Sequence, residues 1–184
     1  MKIIVAVTGA SGSIYAYSLI RSLHRLGIEA YVIATAAGEN VMKYECGVEL
    51  GEIAEYATVL NNNDLFAPVA SGSFKTDGMV IVPCSMNTLG AIANGMGDTL
   101  LSRAASVVLK EKRRLIIVPR ETPLHLIHLE NMLRAARAGA DIMPASPGFY
   151  NHPKEIWELV NFMNARVLDA LGIEHELMKR WGEA

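Results

Sequence analysis

Four short runs of this chain are almost entirely apolar and rich in β-branched residues. They are Ile3–Val7, Ala30–Ala34, Met79–Val82 and Leu115–Val118. Strands covered on both faces by helices have this composition, whereas a strand with one face in water alternates apolar and polar residues. The runs therefore predict the buried strands of a central parallel sheet.

Helical patterns lie between the runs, and this alternation predicts a doubly wound, Rossmann-like α/β fold of three layers. The predicted helices are Tyr15–Leu26, Met86–Asn94, Thr99–Glu111, Leu126–Ala138 and Lys154–Leu171. Ala140–Met143 is predicted as a further short strand. The less regular stretch Tyr44–Ser73 is predicted as a helix, a weak strand and a long functional loop. Residues 1–184 are expected to form one flavodoxin-like domain with a short tail after Gly172.

The composition excludes several classes of protein. A chain of 184 residues that is 51% hydrophobic can bury a full core. Its formal net charge of −2 gives no reason to expect nucleic acid or an anionic membrane as a partner. The apolar runs are far shorter than the roughly 20 residues of a membrane span. Two distant cysteines imply no disulfide framework. We expect a soluble, cytoplasmic protein.

Ligands of doubly wound folds bind beyond the carboxyl ends of the strands. Four segments are predicted there: Thr8–Ser13, Thr35, Pro83–Thr88 and Pro119–Thr122. All of them carry small polar or charged groups, so the sequence predicts the place of the binding site before it predicts the ligand.

The first of these segments, TGASGS at residues 8–13, joins a strand to a helix and is typical of phosphate-binding turns. An ordinary turn in which Ser11 or Ser13 caps the helix is the alternative. A dinucleotide site needs a third glycine and an acidic residue after the second strand. Only Gly9 and Gly12 are present, and Thr35 follows the second strand. A mononucleotide is therefore favoured.

The other segments carry donors and cations suited to an anionic ligand. Ser85, Asn87 and Thr88 surround a predicted helix N-terminus, and Arg120 and Glu121 follow a buried strand directly. The basic cluster at residues 110–114 is interpreted as a solvated helix end, of which one member could point inward. No paired acids suit Mg²⁺, and the spacing of His125 and His128 does not suit a metal. Chemistry without a metal is expected.

Taken together, these motifs resemble the UbiX-type flavin prenyltransferases, formerly described as aromatic-acid decarboxylases. The resemblance extends over nearly the whole chain, with its motifs in the same order. They are TGASG, APVASGSF, VPCSMNTLGAIA, LLSRAASVVLKEKRRLIIVPRETP, HLENML, GADIMPASPGFY and the terminal RWGE.

The resemblance implies a homo-oligomer, commonly a dodecamer, with reduced FMN bound between subunits. It implies an enzyme that joins a dimethylallyl group from dimethylallyl monophosphate to N5 and C6 of the flavin. The prenylated FMN would serve UbiD-type decarboxylases.

The resemblance also assigns roles to residues of this sequence. The residues matching FMN ligands are Gly9, Ala10, Ser11, Thr35, Ser85, Met86, Asn87, Thr88 and Arg120. Tyr150 and Arg166 match ligands of the dimethylallyl phosphate, with Lys110 and Glu121 beside it. Ser11 and Glu45 match residues implicated in proton handling near N5. Trp181 matches a residue thought to shield the allylic cation.

The chain departs from the family pattern at two positions. Leu65 stands where many members have Trp, next to Phe66, which predicts a differently lined prenyl pocket.

The second departure, Asn87, keeps an alternative function open, because it makes PCSMNT similar to the motif of FMN enzymes that oxidise and decarboxylate a cysteinyl substrate. Those enzymes use a histidine in the first half of the chain, and none occurs between His24 and His125. A flavodoxin-like electron carrier would need no cluster of cations beside the flavin.

Overall fold

The computed structural model describes residues 1–182, and these form a parallel six-stranded sheet in the order β3-β2-β1-β4-β5-β6. The strands are β1 (Lys2–Val7), β2 (Glu29–Ala34), β3 (Thr58–Leu60), β4 (Gly78–Cys84), β5 (Arg114–Pro119) and β6 (Ala140–Ile142). The helices are α1 (Ser13–Arg25), α2 (Ala36–Cys46), α3 (Leu50–Ile53), α4 (Met86–Ala93), α5 (Leu100–Lys110), α6 (Leu126–Arg137) and α7 (Ile156–Leu171). The predicted doubly wound αβα fold is confirmed.

Two hydrophobic clusters, one on each face of the sheet, explain why the strands are apolar throughout. Ile3 and Val5 of β1 pack in the cluster that contains residues of α1 and α7. Ile4 and Ala6, which alternate with them, pack in the cluster formed with α4 and α5. Because successive side chains of a strand point to opposite faces, a strand covered on both sides has no position left for a polar residue.

The stretch Tyr44–Ser73 contains the predicted helix as the short α3 and the predicted weak strand as β3, but the longer helix α2, which begins at Ala36, was not predicted. Thr35 caps its first turn, and Gly47 ends it with a positive φ of 67°. Only Gly38 and Met42 of α2 are buried. The helix therefore carries no apolar stripe by which the sequence could have revealed it.

Within residues 1–182, no helix is both long enough and apolar enough to cross a membrane.

Candidate active site

The order of the strands places a crevice between the carboxyl ends of β1 and β4. From these two neighbours the chain winds outward in opposite directions, and ligands of doubly wound folds bind at such a switch point. The buried Thr8 joins the two strand ends: its hydroxyl donates to the carbonyl of Pro83 and accepts from the amide of Ser85, both at 2.7 Å. The two loops that border the crevice are thereby held at a fixed distance.

The N-terminus of α1 is occupied by a carboxylate. Glu45, from the end of α2, accepts hydrogen bonds from the backbone amides of Gly12 (2.9 Å) and Ser13 (3.0 Å) through Oε2. Gly12 is the N-cap, in a left-handed conformation, so neither Ser11 nor Ser13 caps the helix as the alternative interpretation expected. A phosphate on these amides would have to displace Glu45.

Glu45 is held in its ionised form. Burial pushes the pKa of its carboxyl up, but hydrogen bonds from the Ser11 hydroxyl and from the two backbone amides outweigh this effect and lower the pKa. The positive charge of Arg120 acts in the same direction. Arg120 also donates from Nε to the carbonyl oxygen of Ser11 at 3.1 Å. Ser11, Glu45 and Arg120 therefore form one hydrogen-bonded group at the crevice.

The N-terminus of α4, by contrast, is open. Ser85 caps the helix by accepting from the amide of Thr88 at 3.3 Å, and its hydroxyl is 3.1 Å from that of Thr88. Within the described chain, the amides of Met86 and Asn87 have no hydrogen-bond partner. Free amides at a helix N-terminus attract an anion. This end of α4 is where the chain can hold a phosphate.

A cleft of about 710 Å³ opens at this helix end. Thr35, Met86, Asn87 and Thr88 lie along it, together with residues at the starts of α5 and α6. Its volume lies in the range of about 300–1,000 Å³ that is usual for small-molecule sites. The structure thus brings four of the predicted FMN ligands to one cleft.

Two glycines allow α2 to start directly against the end of β1. A Cβ added at Gly38 would lie 2.5 Å from the carbonyl oxygen of Val7, and one added at Gly9 would lie 2.6 Å from the Cβ of Ala37. Both distances are too short for real atoms, so each position requires glycine. Gly9 is thus required for packing, whatever it also contacts in a ligand.

A second cleft, of about 900 Å³, lies between residues 148–162 and the tail at residues 175–182. Tyr150 packs edge-on against Trp181, with ring centroids 5.1 Å apart. The loop that carries Tyr150 follows β6 and passes the end of β5, where the amide of Ala145 donates to the carbonyl of Pro119 at 3.0 Å. Arg166 is half-exposed on α7, 3.1 Å from Asp169, and does not line this cleft. Glu121 follows β5 at the same sheet edge.

Within one chain, Lys110 lies apart from Tyr150 and Arg166, the residues beside which the resemblance places it in the oligomer. It ends α5 and forms an ion pair with Glu111, next to Gly72 in the loop that leads into β4. In a doubly wound fold the helices run antiparallel to the strands, so a helix C-terminus lies at the sheet edge opposite the crevice.

Cys84, Leu65 and Phe66 do not line either cleft. Cys84 is completely buried, and burial raises the pKa of its thiol, which fits a packing role. Leu65 and Phe66 are exposed, Phe66 almost completely, and line neither cleft. Among residues 1–182 no group of three or more His, Cys, Asp or Glu side chains could hold a metal ion.

A pair of histidines lies at the first cleft, although neither was predicted as a site residue. His125 and His128 line it with their rings stacked 3.5 Å apart, and Nδ1 of His128 is buried without a partner. Their spacing does not suit a metal, but the start of α6 lies at the same sheet edge as the crevice, and this brings both histidines to the cleft.

The chain is similar to known proteins along almost its whole length. Residues 1–168 match the family model described as Flavoprotein. The flavin prenyltransferase UbiX of Methanocaldococcus jannaschii is 49% identical over 183 residues, which are 99% of each chain. A crystal structure of AnUbiX (PadA1) in complex with FMN and dimethylallyl pyrophosphate is 44% identical, with a TM-score of 0.96 over 98% of this chain and 97% of that one. A dodecameric FMN-dependent UbiX-like decarboxylase from Escherichia coli O157:H7 is 43% identical, with a TM-score of 0.96 over 98% and 99% of the two chains.

Proposed function

Because the chain belongs to the UbiX-like flavin prenyltransferases of the flavoprotein family, we propose that it transfers a dimethylallyl group from dimethylallyl monophosphate to reduced FMN. The observation that carries the proposal is a continuous set of contacts at one sheet edge. Thr8 ties the phosphate-binding end of α4 to β1, Arg120 ties Ser11 to the end of β5, and the loop between β6 and Tyr150 is hydrogen-bonded to that end through Ala145. The loop that carries the proposed donor site therefore leaves the sheet next to the proposed acceptor site.

The residues of the first cleft fit an FMN whose phosphate lies at the N-terminus of α4. The free amides of Met86 and Asn87 and the hydroxyls of Thr35 and Thr88 supply the donors. Since Glu45 occupies the N-terminus of α1, the turn at residues 9–11 contacts the flavin ring rather than the phosphate. Bound there, reduced FMN supplies the nucleophilic atoms N5 and C6.

The second cleft fits the dimethylallyl phosphate. The Tyr150 hydroxyl in the cleft and Arg166, which lies on α7 outside its lining, bind the phosphate, so that the leaving group departs with the electron pair of the broken C–O bond. The faces of Tyr150 and Trp181 stabilise the allylic cation and exclude water from it. Because guanidinium groups neutralise the phosphate, the reaction proceeds without Mg²⁺.

Ser11 and Glu45 would take the proton released from N5 of a bound flavin. The bond to C6 would form from the dimethylallyl double bond, whose other carbon gains a proton while C6 loses one. Hydrogen bonds to its carboxylate lower the pKa of Glu45, so at neutral pH it is ionised and can accept a proton. The Ser11 hydroxyl donates to it and can relay the proton.

The site is completed in a homo-oligomer, which we expect to be a dodecamer like the E. coli relative. Exposed leucines and an isoleucine cover one side of α6, namely Leu126, Ile127, Leu129 and Leu133. Since Ile127 also lines the first cleft, a copy that covers this apolar face also closes the flavin site. Lys110 reaches the donor phosphate from such a neighbouring copy, and a UbiD-type decarboxylase receives the product.

Nothing in the described structure favours decarboxylation of a cysteinyl substrate. His24 lies in the last turn of α1, at the far end of that helix from the TGASGS turn, and packs edge-on against Tyr56 at 5.5 Å. It is remote from the crevice.

The test is anaerobic incubation of the protein with reduced FMN, dimethylallyl monophosphate and a chelator, followed by mass spectrometry of the flavin. A gain of one C5H8 unit is expected, and unchanged flavin would refute the proposal. Arg166→Ala is expected to lose this turnover while retaining FMN. Loss of FMN binding in that variant would show that Arg166 belongs to the flavin site.

A further inference from the structure

The tail that carries Trp181 is fastened to α7 at one side chain. After α7 ends at Leu171, Gly172 adopts a left-handed conformation with φ of 73°, and the chain folds back along the helix. Asp169, one turn from the start of the tail and mostly buried, accepts hydrogen bonds from two residues of the returning segment, His175 and Arg180. The position of Trp181, the next residue, depends on this attachment.

Four hydrogen bonds converge on the Asp169 carboxylate. Oδ1 accepts from His175 Nε2 at 3.1 Å and from Arg180 Nη2 at 2.8 Å. Oδ2 accepts from Arg180 Nη1 at 3.3 Å and from Arg166 Nη1 at 3.1 Å. The Arg180 contact is bidentate, which fixes orientation as well as distance. One carboxylate therefore holds both the tail and the guanidinium proposed to bind the donor phosphate.

His175 is oriented so that it can only reinforce this attachment. Its Nδ1 accepts from the amide of Leu177 at 3.2 Å, which places the ring proton on Nε2, where it is donated to Asp169. The side chain is 1% exposed, so both ring nitrogens use protein partners rather than water. The hydrogen bonds of Arg180 lower the pKa of Asp169 despite its burial, and the charge of Arg180 and the hydrogen bond from His175 act in the same direction.

We propose that Asp169 is a positioning residue for prenyl transfer: through Arg180 and His175 it holds Trp181 against Tyr150. It also holds Arg166 in a fixed orientation on the same helix. This inference rests on the proposed function, in which Trp181 shields the allylic cation and Arg166 binds the phosphate. Asp169 itself touches neither.

The test is Asp169→Asn, which keeps the shape of the side chain and removes its charge, with Glu174→Gln as the matched control. Glu174 is an exposed carboxylate of the same tail with no ion pair within the described residues. We expect Asp169→Asn to lower kcat about tenfold or more and to leave the Kd of FMN within about twofold, since the variant loses the charge-assisted bidentate contact that orients the tail and is remote from the first cleft. The control is expected to behave as wild type.

Two readouts separate positioning from a general loss of stability. The fraction of the C5 group released as an alcohol, from capture of the cation by water, is expected to rise in Asp169→Asn. Trypsin cleavage after Lys179 and Arg180 is expected to quicken about tenfold, because an unfastened tail opens more often. Unchanged values of kcat, alcohol fraction and cleavage would overturn the proposal.

A double variant tests whether Asp169 acts through Trp181. If it does, Asp169→Asn adds less than about twofold to the loss caused by Trp181→Ala alone, whereas independent effects multiply. Multiplied effects would overturn this route. If Asp169→Asn does not fold, Arg180→Gln removes the same attachment from the other side and is judged by the same outcomes. If the wild type makes no prenylated flavin, the proposed function fails, while tail cleavage still decides whether Asp169 holds the tail.

Discussion

Replacing Glu45 by Gln should destabilise the folded chain, although the side chain lies on the surface. The carboxylate accepts hydrogen bonds from the amides of Gly12 and Ser13, which have no partner within α1. Its negative charge also interacts favourably with the positive end of the helix dipole. Hydrogen bonds to a charged group contribute about 1.5–3 kcal/mol when protected from water. Glutamine keeps one neutral acceptor oxygen, and solvent weakens the contribution of the charge that is lost. We therefore expect a loss of about 1–2 kcal/mol in the free energy of unfolding. For a chain of this length that corresponds to roughly 2–8 °C in Tm.

The effect should depend on pH with a definite sign. Because the pKa of Glu45 is lower in the folded state than in the unfolded chain, its contribution is complete above the unfolded value of about 4.3 and is lost as the pH falls through the folded value. Urea unfolding of wild type and Glu45→Gln should therefore differ at about pH 7 and converge towards about pH 3.

The matched control is Glu55→Gln, which removes an exposed carboxylate from the same region of the chain. It should change stability by less than about 0.5 kcal/mol, as surface substitutions usually do. If Glu45→Gln were no less stable than Glu55→Gln at neutral pH, or if its deficit did not shrink in acid, Glu45 would not close the N-terminus of α1.

Three further outcomes are expected. Thr8→Val leaves a carbonyl and an amide unpaired in the crevice and should cost about 1–3 kcal/mol in urea unfolding, whereas Thr8→Ser should keep most of the stability. Gly38→Ala should lower stability by about 1–3 kcal/mol and weaken FMN binding measured by fluorescence, while Gly51→Ala, with open space around the new methyl, should do neither. Lys110→Ala and Arg166→Ala, each inactive alone, should regain turnover when unfolded together and refolded as mixed oligomers. No regain would mean that both residues act within one chain.

The strands could be predicted because their composition follows from a single physical condition. A strand buried on both faces must be apolar at every position, and this is visible in five consecutive letters such as Ile3–Val7. The helix α2 could not be predicted in this way, since only Gly38 and Met42 of its residues are buried. Its start is set by the cap at Thr35 and by close contact with β1.

The place of the candidate site could be predicted from strand ends, but its internal arrangement depends on contacts between distant residues. The TGASGS turn has the local composition of a phosphate-binding turn, and nothing within it shows that Glu45, more than thirty residues later, occupies its amides. The place of Lys110 within one chain could be predicted, because the direction of α5 follows from the fold and puts the end of that helix opposite the crevice. Its role beside the donor phosphate stays a prediction about the oligomer.

Under the proposed function, the N-termini of α1 and α4 lie against different parts of the flavin. An anion-binding helix end is recognised by free amides, and α4 has them while α1 does not. The acidic group that excludes phosphate from α1 is also the one that lies against the Ser11 hydroxyl and the Arg120 charge. An ionised carboxylate at this position repels a phosphate. Under the proposed function, the TGASGS turn therefore faces the reacting ring, and the phosphate lies one crossover away at Ser85–Thr88.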